Sequence, residues 1–100
     1  MLQLNEVIIM AITKETVVDK IEVLEMGQVQ VRTATVIKED GTELSRNFHR
    51  HVLNPRTKSG DTWGDTDISS EDARVQAIAN ATWTSDVKSA FETLIDSQTS

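Results

Sequence analysis

The residues best suited to chemistry lie close together in the stretch 44–53, which reads LSRNFHRHVL. His49 and His51 are two positions apart, so a β-strand would place both imidazoles on one face, a spacing compatible with a zinc or nickel site. The chain has no third histidine and no cysteine, so a carboxylate such as Glu43 would have to complete the ligand set. Because a catalytic zinc needs three protein ligands, the pattern favours a polar histidine pair at a surface or interface.

The same stretch mixes charged and apolar side chains when strand alternation is followed. One predicted face holds Leu44, Arg46, Phe48, Arg50 and Val52, and the other holds Ser45, Asn47, His49 and His51. Two arginines on the more apolar face are unusual for a core strand, since a guanidinium group stays in contact with water or pairs with an acid. We therefore predict that this strand either lies at the border of a small core or contacts a partner.

A basic belt runs through an otherwise acidic chain of net charge −6. From Ser45 to Gly60 there is no acidic residue, and the four cations of this belt are Arg46, Arg50, Arg56 and Lys58. The belt has two interpretations: its cations pair with the chain's own carboxylates, or they bind an acidic protein or a phosphate-bearing ligand. The predicted partner- or anion-binding set is Arg46, Phe48, His49, Arg50, His51 and Trp63.

Trp63 is the one large apolar residue near the middle of a polar segment, 56–68, which is predicted to be a loop. Such a residue either folds back over the edge of the sheet or protrudes as a contact anchor. The acids that follow, beginning at Asp65, resemble the start of a calcium-binding loop, but its sixth position is Ser70 and its twelfth is Gln76. The glycine and glutamate that define such a loop are missing, so we interpret these acids as solvated.

Catalytic motifs are not visible in the sequence. It contains no G-x-G-x-x-G, no phosphate-binding loop and no G-x-S-x-G elbow. Adjacent carboxylates occur at Glu39-Asp40 and Glu71-Asp72, where a turn and the start of a helix explain them. We therefore predict a non-enzymatic protein with no catalytic residue, no cofactor and no metal.

Length and composition limit the classes of protein that remain. One hundred residues, 38% hydrophobic and without cysteine, predict a single globular domain without disulfides. The negative charge argues against nonspecific binding to nucleic acid or to an anionic membrane, and no segment is long enough to span a bilayer. The apolar start lacks a cationic region and is a poor signal peptide. We expect residues 1–12 to form an extended N-terminal arm, and Met10 is an alternative translation start.

Period-two alternation predicts three strands, at 17–24, 29–38 and 44–53. In the first strand, strict alternation places Val17 on the same face as Ile21. Glycine supplies the turn after this strand, and the sequence Asp-Gly between the second and third strands is a strong hairpin signal.

The register of that second hairpin depends on the length of its turn. A two-residue turn places Thr33 opposite Phe48, whereas a three-residue turn with a bulge places Arg32 opposite Phe48. Matching of apolar faces favours the two-residue turn, because Val29 and Val31 then share a side with Phe48.

Two helices are predicted at the end of the chain. Ser69 is a suitable N-cap for a helix over 70–82, and Thr84 is a suitable N-cap for a second helix over 85–97, which has the clearest apolar stripe. The order predicts an α+β fold, a three-stranded antiparallel β-meander followed by a C-terminal helical hairpin packed on one sheet face. The two outer strands leave edges that invite pairing with another chain.

Four stretches resemble a family of small proteins from tailed bacteriophages and marine viral metagenomes, with a cyanophage-like character. These stretches are Met10–Glu15 (MAITKE), Val36–Gly41 (VIKEDG), His49–Leu53 (HRHVL) and Asp67–Ser69 (DIS). The resemblance covers most of residues 10–95 and would make Met10 the start site. It implies a viral protein, but no particular activity and no catalytic residues.

These observations together predict a non-enzymatic virion or assembly component that acts through protein–protein contacts, by self-association or as a tail or capsid accessory. Its partners would be copies of itself or other virion proteins, in a homo-oligomer. The alternative is a phage-encoded protein of the host cytoplasm that binds a host protein, or sequesters an anionic small molecule through the arginines and histidines of 44–53.

Overall fold

A computed structural model describes residues 11–99 of the chain. Its main sheet has three antiparallel strands in the order β1 (Ile12–Val23), β2 (Val29–Glu39) and β3 (Thr42–Leu53). The remaining elements are β4 (Arg56–Ser59) and β5 (Thr62–Asp65), which form a second sheet, and the helices α1 (Ala73–Thr82) and α2 (Ser85–Thr99). The predicted α+β fold, a meander followed by a helical hairpin on one sheet face, is confirmed. The arm predicted over residues 1–12 lies outside the described residues except for its last two positions.

Strand β1 is longer than the predicted 17–24 and contains a β-bulge at Asp19, where its pairing with β2 shifts by one residue. The extra residue reverses the faces on either side of it. Val18 therefore shares a face with Ile21, and Val17 lies on the opposite face. The prediction that Val17 and Ile21 lie together is wrong because simple alternation takes no account of a bulge.

The β2–β3 hairpin has the predicted two-residue turn, but its register beyond the turn is neither of the two predicted. A bulge at Leu44 shifts the pairing, so that Phe48 lies opposite Ala34. Val29 and Val31 consequently lie on the other face of the sheet from Phe48. The preference for a register that grouped them is wrong, since one extra residue in a strand moves every later side chain to the opposite face.

The two faces of the main sheet differ in what packs against them. On the covered face, the helices pack at one end of the sheet and form the main core with it. This core comprises Val29, Val31, Leu53, Val75, Ala79 and Trp83, with Val18, Ile21, Ile68 and Val87 packed against it. The opposite face, named the open face, carries Val17, Ala34, Val36, Phe48 and Val52.

Both helices begin at side-chain caps. Asp72 rather than Ser69 is the N-cap of α1, because the carboxylate of Asp72 accepts a hydrogen bond of 2.9 Å from the backbone N–H two residues further on. The helix therefore begins later than predicted. Thr84 precedes α2 as predicted, and its hydroxyl accepts a hydrogen bond of 3.3 Å from the backbone N–H of Val87.

The segment 56–68, predicted to be a loop, contains the short hairpin β4–β5. Its two-residue turn is Gly60-Asp61, and Gly60 has a positive φ of 63°. The dipeptide Gly-Asp is itself a hairpin signal, but the residues around it lack apolar alternation. The loop prediction is wrong because side-chain contacts to α2, not a period-two apolar pattern, hold this hairpin.

The molecule is long for its size. Its radius of gyration is 20.2 Å and its principal extents are 72 × 24 × 20 Å, whereas a compact chain of this length has a radius of about 13 Å. The helices pack at one end of a sheet whose strands run well past them. At the far end, Ile12 and Leu44 are 57% and 56% exposed. The sheet therefore extends beyond its own core.

Candidate protein-contact surface

The open face carries exposed apolar side chains, two of them in one row across the sheet. Val17, Phe48 and Val52 are 39%, 47% and 52% exposed, and beside them on the central strand Ala34 and Val36 are buried. Both helices pack on the other face, so no element among residues 11–99 covers these side chains. Val17 and Phe48 flank Ala34 in this row, and the charged row Lys20, Arg32 and Arg50 separates it from Val52. Exposed apolar side chains grouped in this way are typical of a contact surface.

Ion pairs hold two arginines of the open face, Arg32 and Arg46, in place. Arg32 donates hydrogen bonds of 2.9 and 3.0 Å to the two carboxylate oxygens of Asp19, and Arg46 donates bonds of 3.1 and 3.0 Å to those of Glu43. Arg46 Nη1 also lies 3.6 Å from Asp19 Oδ2. The bond from Arg32 lowers the pKa of Asp19, and the bond from Arg46 lowers the pKa of Glu43. The bulge residue Asp19 thus links all three strands, through hydrogen bonds from Arg32 and an ion pair with Arg46.

Arg32 also fixes the aromatic ring of Phe48. Its guanidinium carbon lies 4.2 Å from the ring centroid, within the range of a cation–π contact. Because Asp19 holds the same guanidinium through two hydrogen bonds, the ring is kept in one orientation while nearly half of it stays exposed. A side chain that is ordered in advance loses less entropy on binding a partner.

Arg50 is the one cation of the basic belt that makes no ion pair with another residue in 11–99. Arg56 pairs with Glu92 at 2.7 Å, and Lys58 pairs with Asp96 at 2.8 Å. These hydrogen bonds raise the pKa of Arg56 and of Lys58. Arg46, the first cation of the belt, pairs with Glu43 on the open face. Pairing with the chain's own carboxylates therefore accounts for three of the four cations, and Arg50 is the one that it does not explain.

The two histidines lie on the covered face, away from the arginines. His51 Nε2 is 2.9 Å from Glu71 Oε1, and the ring centroids of His49 and His51 are 6.3 Å apart. Glu43, the carboxylate that a metal site here would need, lies on the open face with Arg46. Within 11–99, no three histidine or acidic side chains are grouped so that they could hold a metal ion. The structure does not bring the arginines and histidines together into one anion site.

An open cleft of about 830 Å³ lies where the covered face meets the start of α1. Its walls include Thr16 and Val18 from β1, and Glu71 and Arg74 from the region of the helix N-terminus. The guanidinium of Arg74 donates a hydrogen bond of 3.1 Å to the carbonyl oxygen of Val18. The acids of the cleft are engaged within the protein, Glu71 with a histidine and Asp72 as the helix cap. The cleft therefore presents no convergent set of reactive groups.

Trp63 lies in β5 and packs against Phe91 of α2. This contact is at the opposite end of the molecule from Ile12 and Leu44, the exposed far end of the main sheet. The two rings meet edge to face, with centroids 6.2 Å apart and planes at 75°. Lys58 Nζ lies 5.3 Å from the indole ring, and Trp63 is half-buried. Of the predicted contact residues, Trp63 is therefore remote from the open face.

The neighbouring acid Asp65 is bound by Lys88 and Arg56, whose hydrogen bonds lower its pKa.

The structure divides the six predicted site residues into three places and adds others. Arg46, Phe48 and Arg50 share the open face, the histidines share the covered face, and Trp63 is separate. Sequence reasoning did not assign Asp19 or Arg32 to the surface. The signal for Asp19 is an acid on a predicted face that is otherwise apolar, because strict alternation groups it with Val17, Ile21 and Val23.

Comparisons with protein-family models, with curated proteins and with solved structures found no match for this chain. No helix within residues 11–99 is both long enough and apolar enough to cross a membrane.

Proposed function

We propose that this chain is a non-enzymatic contact protein that self-associates as a virion or assembly component of a tailed bacteriophage. The viral assignment rests on the resemblance of its four stretches to phage proteins. The assignment as a contact protein rests on one observation: the open face leaves Val17, Phe48 and Val52 exposed, and the chain's own ion pairs hold the ring of Phe48 in place.

The open face has the dimensions of an interface. Twelve residues of strand span about 40 Å and three strands span about 14 Å, so the face presents roughly 560 Å² in projection. A standard interface covers about 800 Å² of accessible surface on each partner. Since a side-chain-covered face has more accessible surface than its projection, this sheet is sufficient for a specific contact.

The exposed apolar side chains provide a driving force for association. Burying a whole valine or phenylalanine side chain contributes about 1.5–3 kcal/mol. Val17, Phe48 and Val52 are each about half exposed, so each retains roughly half of this contribution for a partner. Arg50 adds a cation that is free among residues 11–99 and suits a carboxylate or an aromatic ring of the partner.

The experiment that tests this proposal is the absolute mass of the purified chain by light scattering, at micromolar concentration and pH 7.5. A triple variant, V17T/F48T/V52T, removes the apolar surface while keeping residues that favour strands. The matched control is V23T, because Val23 is 50% exposed but lies on the covered face.

We expect an oligomer for the wild-type chain and for V23T, and a smaller species for the triple variant. If the triple variant keeps the wild-type mass, the open face is not the contact surface. If the wild-type chain is a monomer, self-association is wrong, and the alternative of a host-directed binding protein is favoured.

A further inference from the structure

We propose that the outer edge of β3 pairs with the same edge of a second copy, antiparallel and centred on His49, to form a continuous six-stranded sheet. This inference rests on the proposed function, because it adds to the same self-association a second contact, at the edge of the sheet rather than on its open face. Three observations lead to it: the two outer edges of the main sheet differ, the residues along β3 complement one another, and Arg50 has no ion pair among residues 11–99.

The outer edge of β1 is obstructed near its middle. The bulge at Asp19 breaks the regular spacing of its backbone groups, and bulges of this kind protect an edge from pairing. The side chain of Arg74 in α1 donates a hydrogen bond to the carbonyl oxygen of Val18, so this backbone group is already engaged. The edge of β1 is therefore a poor template for another strand.

The outer edge of β3 is regular and free. Nine consecutive residues, Ser45–Leu53, pair with β2 without interruption, and the bulge at Leu44 comes before them. Among residues 11–99, no backbone group outside β2 bonds to this segment. The segment contains no proline. A row of unpaired N–H and C=O groups on such a strand is a template for another chain.

A second copy of the chain fits this edge because the segment complements itself. If all nine residues overlap the same nine of the partner, His49 lies on the twofold axis. Phe48 then lies opposite the partner's Arg50, and Arg50 lies opposite the partner's Phe48, both on the open face. The guanidinium without an ion pair thus reaches an exposed aromatic ring, and the symmetry forms this contact twice.

The neighbouring registers are less favourable. Centring the pair on Phe48 places Arg46 opposite the partner's Arg50, and centring it on Arg50 places two copies of that arginine opposite each other. Like charges that lie directly opposite destabilise an antiparallel pair. Centring on Asn47 leaves only 45–49 in regular overlap, because Leu44 is in the bulge. The register centred on His49 combines the longest overlap with no opposed arginines.

Cysteine cross-linking measures this register directly, because the chain contains no cysteine of its own. Opposed Cα atoms in an antiparallel pair are about 4.5–5.5 Å apart, and a disulfide requires about 4.4–6.8 Å. The variant H49C is therefore expected to form a disulfide-linked dimer under mild oxidation. A non-reducing gel would show it as a band at twice the mass of the chain.

Asn47 and His51 supply matched controls on the same face of β3. In the proposed register, N47C alone and H51C alone stay unlinked, because each position is about 13 Å from its own counterpart. An equimolar mixture of N47C and H51C is expected to cross-link, since Asn47 lies opposite the partner's His51. Circular dichroism of each variant establishes that the fold is retained.

Cross-linking of H49C and of the mixture, with neither control linked alone, supports the inference. A wild-type chain that oligomerises while H49C and the mixture stay unlinked overturns the β3 contact and leaves the proposed function standing. A monomeric wild-type chain with no cross-link in H49C or in the mixture overturns both. If H49C loses its fold, the mixture of N47C and H51C decides the register.

Discussion

The indole N–H of Trp83 donates a hydrogen bond of 2.7 Å to the carbonyl oxygen of Gly27. Trp83 follows the last residue of α1 and is 8% exposed, and Gly27 lies in the turn between β1 and β2. The apolar contacts around this bond have no direction of their own, whereas a hydrogen bond has one. The bond therefore fixes how the end of α1 sits on the sheet.

We expect Trp83→Phe to lower the free energy of unfolding by about 1–3 kcal/mol, because the carbonyl of Gly27 is buried and would lose its donor. Urea unfolding followed by circular dichroism measures the change. Trp63→Phe is the control, since Trp63 is only half-buried, its hydrogen bond goes to the exposed carboxylate of Asp96, and phenylalanine keeps the edge contact with Phe91. Equal losses in the two variants would contradict the role given to the Trp83 bond.

Replacing Gly27 with alanine tests the same contact between the end of α1 and the β1–β2 turn, now from the residue in the turn. Gly27 has a φ of 91°, and a Cβ atom there would lie 2.5 Å from Val87 Cγ1 and 3.0 Å from Pro55 Cγ. Gly60→Ala is the matched control, because Gly60 also has a positive φ but nothing within 4 Å of the added atom. Backbone strain costs roughly 1–2 kcal/mol at either site. Overpacking should lower the free energy of unfolding of Gly27→Ala by a further ~1–3 kcal/mol, measured by urea unfolding. Equal losses in Gly27→Ala and Gly60→Ala would contradict the close packing around Gly27.

Alternation of apolar residues located all three strands of the main sheet, although it missed the first five residues of β1. The clearest case is β2, predicted at 29–38 and found at Val29–Glu39, where Val29 and Val31 on the covered face alternate with polar residues and leave a visible pattern. The β4–β5 hairpin left no such pattern, because four-residue strands held by ion pairs and by Trp63 need no apolar alternation.

The assignment of residues to faces was beyond sequence reasoning, and two single residues explain why. Asp19 in β1 and Leu44 in β3 are the extra residues of β-bulges. Neither residue type marks a bulge by itself, and each reverses the faces of all residues on one side of it. The grouping of Arg46, Phe48 and Arg50 survived, because all three lie beyond Leu44 on one uninterrupted strand.

The partners of the charged residues were also not predictable from the sequence. The bidentate pair between Arg32 and Asp19 joins positions 13 residues apart, and the pair between Arg56 and Glu92 joins positions 36 apart. Such pairs depend on the register and on where α2 lies. Composition indicated a basic belt, and the tertiary structure determined that only Arg50 in it lacks an ion pair within 11–99.

Phe91 is the buried residue through which α2 packs on the second sheet, beside the ion pairs made by Lys88, Glu92 and Asp96. It is 3% exposed, and the ring of Trp63 meets it edge to face. We expect Phe91→Ala to cost about 3–5 kcal/mol of unfolding free energy, and the emission of Trp63 should shift to longer wavelength as its indole becomes hydrated. Leu94→Ala, at a half-buried position of the same helix, should cost less. An unchanged melting curve for Phe91→Ala would contradict the packing of α2.

The carboxylates of the open face give the protein a stability that depends on pH. Arg32 holds the pKa of Asp19 below its usual value, and Arg46 does the same for Glu43. Each ionised carboxylate therefore stabilises the folded state at neutral pH. This contribution is fully present above the unfolded pKa values of about 4. It is lost as the pH falls through the lower pKa values of the folded state.

The variant Asp19→Asn isolates one of these carboxylates, because asparagine resembles the protonated acid in shape and charge. We expect its unfolding midpoint in urea to lie below that of the wild-type chain at pH 7, and the two midpoints to converge as the pH approaches 2. Glu25→Gln is the control, since Glu25 is exposed in the turn after β1 and its midpoint should follow the wild type throughout. A difference for Asp19→Asn that stays constant from pH 7 to pH 2 would show that Asp19 acts through the geometry of the bulge rather than through its charge.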